Sequence, residues 1–548
     1  MGFGWIDWAV LALYIAGTSW LADRLAGRKQ TIRDFFLGGR RLPWPAVCGS
    51  IVASEISGVT FVSVPAFAFA AGGNYTYMMF AIGSILARGV IGYAFVPAFY
   101  RREIYSPYEF MGRELGVGVD RATTAMFLLG GFLAQGARLF LAALVLDEIT
   151  GMGILWAIVL IGAISVVWTW MGGITSVVWT DVLQFAILFA GAVVALVAVT
   201  WAVPGGAAEI WRAGQEAGKF RLFDFSPDPR KEFTFWCGLF GFSVLTMASH
   251  GTDQMMAQRL FCCRDARDAR KAIVASSVGL LLPLLMLTVG VGIHAYFLHR
   301  PPSLEQAARI ADRVDRAFPV FILNAMGTGL KGLLFAAIFS AATATGTLSA
   351  MAQTALSSFY LPFTKNRDEK HLLRVSRLFV LLAAVGLCGA AVLVMGMRQH
   401  RNLVGLALNM AAYTYGALLG TFLLALLPFR RDARGLTWGI PFSILLVLAF
   451  SWQQIEWVRW AILGVAAILT AGGLRCFLRE PLRLMLIVAV AGLVAAVTFL
   501  EIADGTGHRG PIKLAFPWMF PIGTAVTLLL GVALGRKRLA VPEQPSVS

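Results

Sequence analysis

Five ionisable residues stand where an apolar chain should have none. Glu55, Arg88, Arg138, Asp181 and Asp253 each lie inside a long apolar run. An ionised side chain at the centre of a bilayer costs about 2.5–3.5 kcal/mol on insertion scales, so each needs a partner, water or a function. Internal salt bridges that fix helix packing would explain any one of them. As a set they point to function, because three of the five adjoin backbone interruptions or polar helix ends. Glu55 sits in "SIVASEISGVT", Ser50 to Thr60, where Ser57-Gly58 weakens a helix at mid-depth. An unwound turn there frees carbonyls near Ala53 and Ile56. Bare carbonyls at membrane depth persist only when buried in protein or lining a cavity. A small hard cation, which prefers oxygen ligands, would satisfy them; a kink that serves packing alone is the competing reading. A second oxygen-rich stretch, "AAIFSAATATGTLSA" (Ala336 to Ala350), sets hydroxyls at Ser340, Thr343, Thr345, Thr347 and Ser349 among small residues. Small residues let helices approach closely, and the hydroxyls can also complete a cation shell begun at the first break.

The elements that must position these groups are helices. The chain has 548 residues, is 58% hydrophobic and only 14% charged, too little charge to cover a soluble protein of this length. Many windows hold about 20 apolar residues, the length that crosses a bilayer core. The runs are continuous rather than alternating, which excludes a membrane β-barrel. The fold class is therefore an all-α polytopic membrane protein. A leading helix over 5–25 precedes ten core helices: 1 (43–72), 2 (76–100), 3 (122–149), 4 (153–171), 5 (176–203), 6 (233–260), 7 (272–298), 8 (330–358), 9 (373–396) and 10 (403–427). Three to four trailing helices fill 437–535, the span near 437–451 being short. The whole of 1–548 reads as a single transmembrane domain. Core helices 1–5 and 6–10 form two groups of five, and an odd number of spans inserts the second group upside down. Both groups open on an interrupted helix, at Ser57-Gly58 and at "SHGTDQ", Ser249 to Gln254. Paired interruptions in matching halves are the sequence pointer to a transporter's central site.

The net charge of +16 would suggest nucleic acid in a soluble protein. Here the basic residues act as topology signals and as contacts for anionic lipid, and no nucleic-acid partner is expected. With the N-terminus outside, the inner loops hold roughly twice as many Lys and Arg as the outer ones, as the positive-inside rule requires. That places the chain in the cytoplasmic (inner) membrane. The outer loops 204–232 and 299–329 should contain short amphipathic segments. The six cysteines form no metal or disulfide framework, and Cys262-Cys263 reads as a pair of free thiols in a basic cytosolic loop. No His, Cys or carboxylate cluster has metal spacing and no GxxxxGK[ST] loop occurs, so neither an enzyme nor an ATP motor is encoded.

"DFFLGGRRLPW", "ASEISG", "YEFMGRELG", "GGITSVVWTDVLQ", "HGTDQMMAQR" and "TYGALLGTFLL" occur in this order. Together they resemble the sodium:solute symporter family, the relatives of sodium/proline, sodium/glucose and sodium/sialic acid transporters, over roughly residues 30–430. The resemblance implies a leucine-transporter-type five-plus-five inverted repeat. It also implies a secondary active symporter that imports a small polar solute (a sugar or polyol, an amino acid or an organic acid) by alternating access. Sodium is the transported coupling ion and no organic cofactor is implied. The shared sodium site falls on the carbonyls of Ala53 and Ile56 in core helix 1 and of Ala341 in core helix 8. The usual hydroxyl pair falls on Ala344 and Thr345, so one hydroxyl is missing; a two-residue shift gives Ala342 and Thr343 instead. Asp181 matches an acid that supports a second sodium in some members, and Thr347 could join it or line the sodium path. "HGTDQ" resembles the sugar-transporting members, with Asp253 and Gln254 facing polyol hydroxyls. "GARLF" and "SEISG" resemble the proline-transporting branch, with Arg138 neutralising a substrate carboxylate. Asp253 has a competing role, as a cap on the second half-helix or a partner of Arg138. Ser57, Thr60, Tyr75, Asn409 and Tyr413 are further candidates for the pocket lining, and Glu55 is a candidate for coupling. A proton-coupled transporter using Glu55 or Asp253 is the runner-up reading. A transport-derived sensor is the third, disfavoured because "RKRLAVPEQPSVS" at the end leaves no room for a kinase domain. The oligomeric state stays open.

Overall fold

A computed structural model describes residues 4–25, 31–56, 58–101, 104, 106–340, 345–366, 368–396, 403–427, 432–503 and 509–536. The leading helix is Trp5–Leu25. Core helix 1 comes in two pieces, Trp44–Glu55 and Gly58–Phe69, with a bend of 57° measured between Trp44–Glu55 and Thr60–Phe69. Pro43 and Pro45 set the start of the first piece, where a missing N–H costs nothing. At Ile56 the backbone turns extended (φ −77°, ψ 120°) and the hydrogen-bond ladder stops. Core helix 2 spans Tyr75–Tyr100 with one wide turn at Ile91–Phe95, and core helix 3 is Val117–Thr150. Core helices 4 and 5 run on through Ile154–Ala202, divided by Gly173 (φ 53°, ψ −159°). Only glycine fits there, because a Cβ would stand 2.6 Å from the Phe35 carbonyl oxygen.

Core helix 6 winds through wide turns at Cys237–Phe242 and Met247–Thr252, breaks at Asp253 (φ −79°, ψ 128°) and resumes as Gln254–Phe261. Core helix 7 is Ala266–His299. Core helix 8 comprises Leu330–Ser340 and Thr345–Ala355, continuing to Tyr360; Ala341, Ala342, Thr343 and Ala344 lie outside the described residues. Core helices 9 and 10 are Glu369–Gly396 and Leu403–Leu426. Four trailing helices follow: Leu436–Trp452, Glu456–Phe477, Pro481–Phe499 and Met519–Leu534. The first of them, counted from Ala433, has 20 residues of apolar length, enough to span. The loops over 204–232 and 299–329 carry the short helices Gly206–Glu216 and Leu304–Asp312, the second opened by a Ser303/Gln306 capping box.

Close backbone approaches hold the two halves together. Gly290 of core helix 7 lies against the Pro65 carbonyl, where a Cβ would come within 2.2 Å. From the loop after Gly206–Glu216, Lys219 donates to the carbonyls of Ala68 (2.8 Å), Phe69 (3.1 Å) and Ala70 (3.0 Å). These carbonyls end the Gly58–Phe69 helix and would otherwise lack donor partners. Cys262 and Cys263 are free thiols between two helices, as expected, and both are buried: the Cys262 carbonyl accepts from the Leu42 N–H (3.1 Å) and clamps the end of core helix 6 to the start of core helix 1.

Candidate functional site

A cavity lies where the two interrupted helices meet. Core helix 1 contributes Glu55, Ile56, Thr60 and Val64, and core helix 3 contributes Gln135 and Arg138. Core helix 6 contributes Thr246, Ser249, His250, Met255 and Met256, and core helix 10 contributes Tyr415. One end is roofed by aromatic rings. Tyr77 and Phe80 of core helix 2 pack on each other at 5.1 Å, Tyr77 on Phe233 at 4.9 Å, and Phe80 on Phe242 at 6.0 Å. Leu280 and Pro283 complete an apolar wall.

At the first break Glu55 is neutralised. Arg88, completely buried, bonds to the Glu55 carboxylate and to Ser84, and its Nε donates to Ser276 Oγ at 3.0 Å. His250 Nε2 is 3.8 Å from the same carboxylate, and its Nδ1 is 2.9 Å from Ser249 Oγ. The pair ties core helix 1 to core helix 2, the bracing role expected of any intramembrane charge.

At the second break the polar groups close the floor. Asp253 Oδ1 accepts from the Met255 N–H (2.7 Å), so it caps the second half-helix, and Oδ2 accepts from the Tyr415 hydroxyl. The Gln254 amide N–H donates to Tyr108 Oη (3.2 Å), and its Nε2 donates to Gln353 Oε1 (2.8 Å). Gln258 donates to the Phe36 carbonyl (2.9 Å) and to Ser349 Oγ (3.2 Å). Arg259 Nε donates to Ser50 Oγ (2.8 Å), one terminal nitrogen pairs with Asp181 Oδ2 (2.8 Å), and the other bonds to the Met255 carbonyl. Ser50 Oγ in turn donates to Asp181 Oδ2 at 2.6 Å. Every residue from Gln254 to Phe261 is buried. This half-helix is thus locked onto core helices 1, 5, 8 and 10, and the cavity is shut on that side.

Arg138 differs from both other arginines. It lines the cavity, and among the described residues it has no hydrogen-bond or ion-pair partner. Glu55 and Asp253 are near enough to feel its charge, but each carboxylate is engaged elsewhere. Mutual satisfaction of buried charges is the usual condition of a membrane interior, so this guanidinium is poised for an anion.

Several sequence candidates fall elsewhere. Tyr75 bonds to Thr288 Oγ1 (2.9 Å) and packs on Phe220, outside the cavity wall. Tyr413 faces the trailing helices, its hydroxyl accepting from Trp452 Nε1 (2.7 Å). Gln254 is taken up by Gln353 and Tyr108. Asp181 is held by Arg259, and the Thr347 hydroxyl contacts Met255 Sδ at 3.2 Å. Thr60 lines the cavity. Ala53, Ile56 and Thr345 are buried at the helix ends they were assigned to, at 6%, 4% and 2% exposure. Ser57, Ala341, Ala344 and the Asn409 side chain lie outside the described residues. Sequence reading missed Gln135, Thr246 and the aromatic roof, which are ordinary residues in apolar runs and carry no local signal. It also missed the Glu55–Arg88 and Asp181–Arg259 pairings, because each joins residues far apart in the chain. Among the described residues no group of three or more His, Cys, Asp or Glu could hold a metal ion.

Comparison with known proteins agrees with this architecture. The Sodium:solute symporter family model matches residues 35–442. The sodium/sialic acid symporter SiaT of Proteus mirabilis is 25% identical over 87% of this chain and 96% of its own length. The human sodium/iodide cotransporter is 28% identical over 81% of this chain and 69% of its own. The sodium-coupled monocarboxylate transporter 1 of Xenopus laevis is 28% identical over 77% and 66%. Among solved structures, the substrate-bound outward-open state of a Na+-coupled sialic acid symporter superposes with a TM-score of 0.76 at 23% identity, over 98% of this chain and 100% of that one. That likeness carries the fold, a leucine-transporter-type inverted repeat. A family match over most of the chain, joined to two broken helices meeting at a closed-floored cavity, identifies the chain as a member of the sodium:solute symporter family, a sodium-coupled solute transporter and not an enzyme.

Proposed function

We propose that the transported solute is a small organic anion, a monocarboxylate with an apolar body, imported across the cytoplasmic membrane. The observation that carries this reading is Arg138, a cavity-lining guanidinium with no partner among the described residues. A carboxylate matches its planar fork in two parallel hydrogen bonds. Phe80, Leu245, Met256 and Leu280 supply an apolar wall for the rest of the molecule. The polyol reading loses its groups, since Asp253 and Gln254 are engaged in closing the floor. Relatives that carry monocarboxylates or sialic acid support the class.

Sodium binds where core helix 1 breaks, on the carbonyls of Ala53 and Ile56, against Thr345 and the segment that contains Ala341 and Ala344. The abrupt end of the ladder at Ile56 supports this placement. Asp181, paired with Arg259, is not available to a second sodium, so one sodium accompanies one anion. Such a cycle moves no net charge. The membrane potential then does no work, and a tenfold sodium gradient supplies about 1.4 kcal/mol, a tenfold accumulation. The excess of Lys and Arg in the loops on one side supports an outside N-terminus.

Proteoliposome uptake tests all three parts. Short-chain and aromatic monocarboxylates should enter with sodium and not with choline, while polyols do not compete. A potassium diffusion potential set by valinomycin should leave the rate unchanged. Competition by polyols alone overturns the substrate class, and acceleration by an inside-negative potential overturns the one-to-one stoichiometry.

A further inference from the structure

The leading helix stands outside the five-plus-five core, and it contributes no residue to the cavity wall. Its one acid near the start is nonetheless engaged with core helix 8. Asp7 is completely buried. Its Oδ1 accepts from the backbone N–H groups of Gly329 (2.7 Å) and Gly332 (2.9 Å), and its Oδ2 accepts from the Gly4 N–H (2.9 Å). Gly329 and Gly332 bracket Leu330, where the first piece of core helix 8 begins. The N–H groups of a first helical turn have no partner within the helix, and a nearby acceptor, best a negative one, stabilises that end. Gly329 holds a left-handed backbone (φ 89°) and has no side chain to serve as a cap. Asp7 supplies the cap from a different helix.

The fit is tight. A Cβ on Gly332 would stand 2.6 Å from the Asp7 carbonyl oxygen and 2.7 Å from its Cα, so only glycine lets the two backbones meet here. From this anchor the leading helix runs beside Leu330–Ser340. Two turns further on, the buried Tyr14 comes close to Ser340. Ser340 is the last residue before the segment in which the helix-8 sodium ligands are placed. One helix thus splints another along its length, fastened at the end away from the ion.

We propose that Asp7 is a positioning residue for sodium: by capping core helix 8 it sets the height at which that helix presents its ligands to the break in core helix 1. The inference rests on the sodium placement given above, and its test separates the two. Full-length wild type, Asp7→Ala, Asp7→Asn, Gly332→Ala and Thr345→Ala are compared in proteoliposomes. The readouts are the sodium concentration for half-maximal uptake and the maximal rate at saturating sodium. Asp7→Ala should raise the half-saturating sodium concentration about fivefold, the size expected for loss of a helix cap, with the maximal rate preserved. Asp7→Asn keeps an acceptor oxygen and should recover most of that shift, and Gly332→Ala should reproduce it by forcing the helices apart. If Asp7→Ala does not fold, Gly332→Ala and Asp7→Asn carry the same comparison. A Thr345→Ala shift with unchanged sodium dependence in the Asp7 and Gly332 variants overturns the positioning role and leaves the sodium site standing. A shift in Asp7→Ala without one in Thr345→Ala supports the splint and removes Thr345 from the site.

Discussion

Arg259, buried, and Arg138, half-buried, are two guanidinium groups in the same membrane interior, and they teach opposite lessons. Arg259 is 1% exposed and meets Ser50, Asp181 and the Met255 carbonyl, with Gly346 so close that a Cβ would come within 2.2 Å of it. Its charge is fully matched, so it cements core helices 1, 5 and 6 at the floor of the cavity. Arg138 faces the cavity without a partner among the described residues. A cation whose neighbours are all satisfied serves structure, whereas one left facing a cavity is the group to which we assign the solute in our proposal. Asp181 belongs to the first category, and this is why an acid that looks like a sodium ligand in the sequence serves as a lock in the fold.

The contrast can be broken in four places. The largest effect is expected on stability at the lock. Arg259→Met or Asp181→Asn leaves the other charge buried and uncompensated, at a cost of about 3–5 kcal/mol, whereas the double variant Asp181→Leu/Arg259→Met should recover most of it. Thermal unfolding in detergent checks this, and single variants as stable as the double would show that the pair is no lock. Next comes Arg138→Gln, with a loss of about 2–5 kcal/mol in solute binding and no fall in melting temperature, because no protein group is orphaned. A lowered melting temperature with unchanged solute affinity would make Arg138 a second Arg259. A smaller effect is expected for Tyr415→Phe, which removes a hydrogen bond to the capping carboxylate of Asp253, about 1.5–3 kcal/mol of stability at most; it should also ease opening of the floor, visible as faster cysteine labelling from that side. The smallest belongs to the loop after core helix 5, where Arg212 and His299 hold the Glu209 carboxyl down at about 2. Such exposed pairs contribute little. The contribution of Glu209 is complete above its ordinary value of 4.5 and is lost only as the pH falls toward 2. Arg212→Ala should therefore leave the melting temperature at pH 7 unchanged, and a clear drop would show that the loop, too, is a lock.

Much of this was legible because membrane physics writes strong local signals. Long apolar runs, the loop charges and the two weak points at Ser57-Gly58 and Asp253 follow from the cost of exposing backbone and charge to lipid. Arg138 stood out for the same reason. Glu55 and Asp253 stood out equally; Glu55 is braced by Arg88, and Asp253 takes the capping role that the sequence offered as its competing reading. Tyr75 and Tyr413 were placed on the right helices but on faces that turn away from the cavity, which helical phase in an all-apolar segment does not reveal.

By itself, the sequence determined the class, the order of spans, the paired breaks and the short set of buried charges, because each is a statement about one segment and its solvent. Which charge meets which was decided only by the tertiary structure. Arg88 with Glu55, Arg259 with Asp181, and Asp7 with the start of core helix 8 are separated by 33, 78 and more than 300 residues. A buried ion's role depends on its nearest neighbour within a few ångströms, and that neighbour is set by how helices pack, not by their order along the chain.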